Sequence, residues 1–319
     1  MPQADKSSPT ANFAAIMAPI IAVSVHGGYC AGVSHSMPNI FGTDGGEPPP
    51  PSAPPSPQAP ILFFDSGLGG ISVLQPVLEL LPNAPIVYAC DYAGLPYGEK
   101  SEAEIATRVS ALLGRLVERV RPRLAVIACN TASTIALAHV RAALHTPFVG
   151  TVPAIKPAAA LSKTRVIGVL GTAATVRQPY VDRLSAEFAS DCTILRFGAP
   201  ELVHAAEAKL HGTPVSSAIA ERAIAGLRSQ FGGEHMDVIV LACTHFPLIA
   251  EELQQAAGPD VRLIDGSTGI ARRVKTLTEG QDWPEETASR SIILNGTAAQ
   301  AANILPLFAG LGFQHSTIL

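Results

Sequence analysis

Two cysteines each close an apolar run and stand directly before hydrogen-bonding residues. In LAVIACNTAS (124–133), Cys129 precedes Asn130, Thr131 and Ser133; in VIVLACTHFP (238–247), Cys243 precedes Thr244 and His245. A single buried cysteine is most often a small structural hydrophobe. Two in the same local setting point to chemistry, and both sites read as a strand end passing into a helix start. Helix N–H groups there favour a thiolate. Two chemistries fit. A Cys243–His245 pair could transfer acyl groups, which leaves Cys129 idle. Alternatively, two thiols on opposite sides of a cleft could invert a carbon–hydrogen centre, one removing a proton while the other delivers one to the opposite face. Near-matched settings suit the second, because the thiols must exchange roles when the reaction reverses. The developing carbanion then needs donors, and the hydroxyls and N–H groups at Ser66, Thr131 and Thr244 are placed for that task.

The elements that position these residues alternate in type. ILFF (61–64), IVYAC (86–90), LAVIA (124–128) and PFVG (147–150) are short unbroken apolar runs of strand length. The scheme restarts near residue 165 with RVIGVLGTAAT (165–175), then CTILRFGAPE (192–201), DVIVLACTH (237–245) and VRLIDG (261–266). Between them lie helical periodicities. The clearest has Ile105, Val109, Leu112, Leu113, Leu116, Val117 and Val120 on one stripe, opened by a capping box at Ser101 and Glu104 and closed at Arg121-Pro122. Strands buried on both faces and separated by helices predict an α/β protein. The expected arrangement is two similar doubly wound parallel-sheet domains facing each other across an active-site cleft, with ligands beyond the carboxyl ends of the strands.

The other candidates divide between chemistry and architecture. GLGG (67–70) fails as a dinucleotide motif, since Ser72 occupies the third glycine position; it is either a backbone anion cradle or a tight turn. Asp65 and Ser66 end the first strand and would otherwise be a turn or cap. LPYG (95–98) reads as a proline-initiated turn, and Glu207 as a solvated helix face. Cys90 precedes Asp91, which disfavours a thiolate, and Cys192 opens a strand and is assigned to the core. Cys-x-x-Cys is absent, which argues against a zinc ribbon. No lysine sits in a Schiff-base context, which argues against pyridoxal phosphate.

The chain of 319 residues is 47% hydrophobic and 15% charged, with a net charge of −4. It can bury a large core, and it offers no basic block for nucleic acid or an anionic membrane. Five cysteines in this length do not form a disulfide scaffold and fit a reducing cytoplasm. Residues 1–60 read as a disordered proline-rich extension, with seven prolines in PPPPSAPPSP (48–57). Its apolar patch at 11–25 is too short to span a bilayer, and Cys30, in the same extension, has no assigned role.

Five ordered motifs, FDSGLGGISVL, LPYGEKS, IACNTAS, VGTVPAIKPA and ACTHFPLI, resemble the glutamate racemases of the aspartate/glutamate racemase superfamily, over residue 60 to the end. The resemblance implies cofactor-independent interconversion of L- and D-glutamate, supplying D-glutamate for peptidoglycan. It implies catalytic bases at Cys129 and Cys243, with Asp65 assisting Cys129 and His245 assisting Cys243. Asp65, Ser66, Tyr97, Gly98, Asn130, Thr131, Thr244 and His245 would contact the substrate or tune the thiols. Where the family often has Ala-Cys-Pro, this chain has Ala199 in place of the cysteine, and His204 replaces a usual proline; Glu207 keeps its place among the catalytic residues. The implied domains are 61–157 plus 266–319, and 158–265. The implied partner is glutamate alone, with a homodimer entertained. The rivals are an aspartate racemase or related two-thiol isomerase, a Cys–His hydrolase and a non-catalytic binder of acidic metabolites.

Overall fold

A computed structural model describes residues 55–286 and 288–319. The proline tract up to residue 54, the apolar patch and Cys30 lie outside the described residues. The strands are β1 Ile61–Asp65, β2 Ile86–Cys90, β3 Leu124–Ile127, β4 Phe148–Gly150, β5 Val166–Gly171, β6 Thr193–Gly198, β7 Val238–Ala242, β8 Arg262–Ile264, β9 Arg290–Leu294 and β10 His315–Ile318. The helices are α1 Ile71–Leu80, α2 Glu102–Val120, α3 Asn130–Ala143, α4 Ile155–Leu161, α5 Ala173–Val176, α6 Pro179–Phe188, α7 Glu201–Leu210, α8 Ser217–Arg228, α9 Ala250–Ala257, α10 Ser267–Leu277 and α11 Ala298–Ala309.

They build two all-parallel sheets, ordered β10-β9-β2-β1-β3-β4 and β6-β5-β7-β8. The α/β class and the two facing parallel sheets agree with the sequence. Within this, β2-β1-β3-β4 and β6-β5-β7-β8 are the same order, so β3 and β7 are equivalent third strands. In each half the order reverses beside the first strand, and such a switch point leaves a crevice at the carboxyl ends. β1, β3, β5 and β7 are buried along their whole length, as unbroken apolar runs require.

The chain crosses between sheets twice, at Thr151–Ala154 and again near Asp265-Gly266. The two crossings touch: a Cβ on Gly266 would stand 2.9 Å from the Val152 carbonyl oxygen, so glycine permits the approach. After the return, α10 packs along α1, and β9 and β10 extend the first sheet. The helix α4 packs on α6 and β7 of the second sheet. One buried cluster runs through both halves, taking in Leu68, Ile71 and Val149 as well as Leu170, Phe246 and Leu248.

The helix α2 buries Ile105, Val109, Leu113 and Leu116, and Arg121 ends it in the left-handed region at φ 47°. Its expected capping box is half formed. Ser101 accepts the Glu104 N–H, but the Glu104 carboxylate turns to Lys100 at 2.9 Å. Cys192 differs from expectation too: it precedes β6, is only half-buried, and its thiol lies 3.6 Å from the Asp191 carboxylate.

Candidate active site

Cys129 follows β3 and is the N-cap residue of α3, and its side chain is buried. The position agrees with the sequence, but the ionisation does not. Burial pushes the Cys129 thiol well above its ordinary value, and the neighbouring Asp65 charge adds to this; the Ala132 N–H of the first helical turn opposes both without prevailing. Cys129 is therefore held as a thiol in the closed site. Charge on Cys243 also raises it, which places the two sulfurs in one electrostatic environment.

Cys243 follows β7 at the equivalent point of the second half, also buried. Its helix is delayed. A turn and a 3-10 segment, Phe246–Ile249, come first, and α9 begins only at Ala250. The Phe246 N–H donates to the Cys243 carbonyl at 3.0 Å. Cys243 thus lacks the α-helix start expected for it and has a side-chain partner instead: its sulfur lies 3.9 Å from His245 Nδ1.

His245 is fully enclosed, and its Nε2 lies 2.7 Å from Glu207 Oε1. Burial alone would lower the imidazole, but Cys243 and Glu207 together hold it well above its ordinary value. Burial likewise works to raise Glu207, and His245, the Leu68 N–H and the Tyr92 hydroxyl overcome it and hold the carboxyl below its ordinary value. Glu207 is therefore no solvated helix face. It is buried on α7 and binds the Leu68 N–H at 2.7 Å and the Tyr92 hydroxyl at 2.8 Å, both from the first half. Gly67 makes room, since a Cβ there would stand 2.5 Å from Glu207 Oε1.

Asp65 ends β1 with no exposure. Its carboxylate accepts the Ser66 and Gly70 N–H groups at 2.7 and 2.6 Å. The glycine loop thus cradles an anion that the chain itself provides. Burial raises Asp65, against the His245 charge and these two N–H groups. Ser66 Oγ stands between Asp65 Oδ1 at 3.4 Å and the Cys129 sulfur at 3.9 Å, so Asp65 reaches Cys129 through Ser66.

Thr131 Oγ1 is 3.0 Å from both Thr172 Oγ1 and Thr175 Oγ1, a buried cluster joining the halves. Sequence reasoning singled out neither Thr172 nor Thr175. The available signal was topological: the GTAAT loop after β5 is the counterpart of the Asp65–Gly70 loop after β1. Asn130 is buried with Oδ1 unpartnered, and it lines a narrow cavity with Ser72, Thr151, Cys243, Thr244 and Asp265. The Thr244 carbonyl accepts Ser72 Oγ at 2.8 Å.

Tyr97 is buried, and its hydroxyl donates to Asp91 at 2.6 Å. Asp91 also binds Arg108 and Asn295, and burial, which would raise its carboxyl, is overcome by these partners. This fixes the turn carrying Gly98, where a Cβ would stand 2.6 Å from Thr172 Cβ. The sequence-predicted residues are thus brought together, with Tyr97 acting on the turn rather than offering its own hydroxyl. Among the described residues no His, Cys, Asp and Glu group has the arrangement of a metal site, and no helix is long and apolar enough to cross a membrane.

A model of the Asp/Glu/hydantoin racemase family matches residues 71–274. A glutamate racemase of Sphingopyxis alaskensis is 69% identical over 231 residues, covering 72% of this chain and 86% of that protein. The crystal structure of Escherichia coli glutamate racemase in complex with L-glutamate and the activator UDP-MurNAc-ala matches with a TM-score of 0.75 at 41% identity, covering 82% of this chain and 98% of that one. The glutamate racemase of Thermus thermophilus, in complex with beta-chloro-D-alanine, matches with a TM-score of 0.69 at 28% identity, covering 83% and 98%. With two thiols at equivalent strand ends and these relatives over most of its length, the chain belongs to the Asp/Glu/hydantoin racemase family.

Proposed function

We propose that this chain interconverts L- and D-glutamate by two-base proton transfer between Cys129 and Cys243, supplying D-glutamate for peptidoglycan in the cytoplasm. The observation that carries this reading is the placement of the two thiols after equivalent strands, each with its own attendant: Ser66 and Asp65 for Cys129, His245 and Glu207 for Cys243. A Cys–His hydrolase would give no account of the Asp65–Ser66–Cys129 arrangement.

In the L-to-D direction, as the resemblance to the glutamate racemases implies, Cys243, beside the His245 imidazolium, is the base that removes the α-proton. The Cys129 thiol, which burial keeps protonated, delivers its proton to the opposite face. The roles exchange in reverse. The carbanion forms among donors already in place, and such electrostatic preorganisation usually contributes more to lowering a barrier than any other single effect. Ser66, Thr131, Thr172 and Thr244 supply hydroxyls, and the unpartnered Asn130 Oδ1 suits a hydrogen-bond donor of the substrate, such as its ammonium. The residues need no added cofactor for these steps. Glutamate is the expected partner, and a homodimer the accompanying expectation for assembly.

Incubation of the metal-free, pyridoxal-free protein with L-glutamate in D₂O tests the reading. Deuterated D-glutamate should accumulate until the enantiomers are equal. Retention of the α-hydrogen, or turnover of aspartate alone, would overturn it.

A further inference from the structure

Glu207 holds His245 in place, and what holds Glu207 is supplied from elsewhere. Its carboxylate has three donors, and two of them, the Leu68 N–H and the Tyr92 hydroxyl, belong to the other half of the molecule. Tyr92 lies in the short 3-10 turn Tyr92–Gly94 after β2 and reaches the cleft from outside the motifs that carry the thiols. Its ring packs against the shared core, so the hydroxyl arrives on a fixed arm. The phenol donates to Oε2, leaving Oε1 to His245 and Leu68, so each carboxylate oxygen is satisfied.

We propose that Tyr92 is a positioning residue for proton transfer at Cys243, acting through Glu207 and His245; the inference rests on the two-base reading above. A carboxylate rotates about its Cγ–Cδ bond unless both oxygens are held. With Tyr92 on Oε2, Oε1 is aimed at His245 Nε2, and this fixes the ring that presents Nδ1 to Cys243. Burial and the adjacent Glu207 charge raise the phenol well above its ordinary range, so it remains a proton donor to the carboxylate throughout the working pH range. Because Tyr92 and Leu68 come from the first half and Glu207 from the second, the aim of Glu207 depends on contact between the halves. Cys129 has other hydrogen-bonding attendants, Ser66 and through it Asp65, and the Glu207–His245 pair reaches that side only through its charges on Asp65.

The test uses the whole enzyme and the variant Tyr92→Phe, which keeps the ring and removes the donor. The two enantiomers of glutamate are equal in free energy, so any loss in kcat/KM must be the same in both directions; about tenfold is expected, the scale of a lost hydrogen bond to a charged group. The distinguishing readout is the primary deuterium isotope effect. If transfer at Cys243 becomes slower, the effect on kcat/KM should rise for 2-deutero-L-glutamate, whose deuterium Cys243 removes. It should fall toward unity for 2-deutero-D-glutamate, whose deuterium Cys129 removes. Glu207→Gln should shift both effects in the same sense, and the double variant should be no slower than Glu207→Gln alone, as for members of one chain of contacts. Isotope effects unchanged by Tyr92→Phe, or losses that multiply in the double variant, would overturn the proposal. A wild-type chain that exchanges no α-hydrogen of glutamate would overturn the two-base reading itself.

Discussion

The hydroxyl of Thr131 stands 3.0 Å from that of Thr175, although Thr131 opens α3 of the first half and Thr175 belongs to α5 of the second. Neither has an apolar reason to meet the other. Together with Thr172 they place three hydroxyls close beyond Cys129, where a substrate's charged end can replace their mutual bonds. Thr175→Val keeps the shape and removes one hydroxyl. We expect kcat/KM for both enantiomers to fall about tenfold or more, with the melting temperature little changed. Steady-state kinetics decide this, and unaltered kinetics would reduce the cluster to an interface contact.

Cys129→Ala and Cys243→Ala should each abolish racemisation yet fail differently. Cys129→Ala retains the Cys243 base and should exchange solvent deuterium slowly into L-glutamate with configuration kept; Cys243→Ala should do so into D-glutamate. Lost acid–base help costs about 10²–10⁴-fold, so the residual rates will be low. Proton NMR of the α-position with chiral analysis reads both, and near wild-type racemisation in either variant would refute the two-thiol mechanism.

The His245–Glu207 pair makes stability depend on pH in a defined sense. Glu207 is held below 4.5, so its contribution is present above that pH and lost as pH falls through its folded value. His245 is held above 6.5, so its contribution is present below that pH and lost as pH rises through its folded value. The pair is fully stabilising between the two. Glu207→Gln should cost about 3 kcal/mol near pH 6, the scale for breaking a buried pair. The difference from wild type should shrink as the solution is made alkaline enough to carry His245 through its folded value. Urea unfolding near pH 6 and at alkaline pH measures it, and a constant difference would contradict the charge assignment.

At the other end of the molecule, Arg123 donates to the carbonyls of Ser56, Pro57 and Ala59 and to Gln281, with its guanidinium 4.0 Å from the Trp283 ring. Removing residues 1–54 should leave racemisation and melting temperature unchanged. Removing residues 1–60 should cost about 2 kcal/mol, since a buried charged donor loses its acceptors. Thermal melts of the two truncations separate these outcomes, while kcat should hold in both.

Local pattern made some of this legible and topology withheld the rest. The thiols could be read because an apolar run ending in Cys-Asn-Thr or Cys-Thr-His is a local contradiction. The stripe of α2 was visible because seven apolar side chains fall on one face. Glu207 was named only through the resemblance, and its local spacing read as a solvated face, because its burial depends on Leu68 and Tyr92, more than a hundred positions earlier in the chain. Thr172 and Thr175 lie in a loop rich in glycine and hydroxyls whose partner, Thr131, is some forty positions away, and Thr172 also caps the short helix α5. After Cys243 the chain enters the 3-10 segment Phe246–Ile249 before its α-helix, and Pro247 in the first turn is compatible with this because its missing N–H is not needed there. The turn of Glu104 toward Lys100 was a choice between two neighbours that spacing alone cannot make.

The paired crossings at Val152 and Gly266 give the molecule a ribbon rather than a thread between its halves. A thread can bend and spin; a ribbon of two strands in contact bends across its width and resists torsion. An enzyme that must serve both mirror images gains from this, because resistance to twisting helps to keep the two thiol-bearing strand ends in register. A side chain on Gly266 would push the strands of the ribbon apart and free the twist, and the loss would be felt as misalignment at a distance from either thiol.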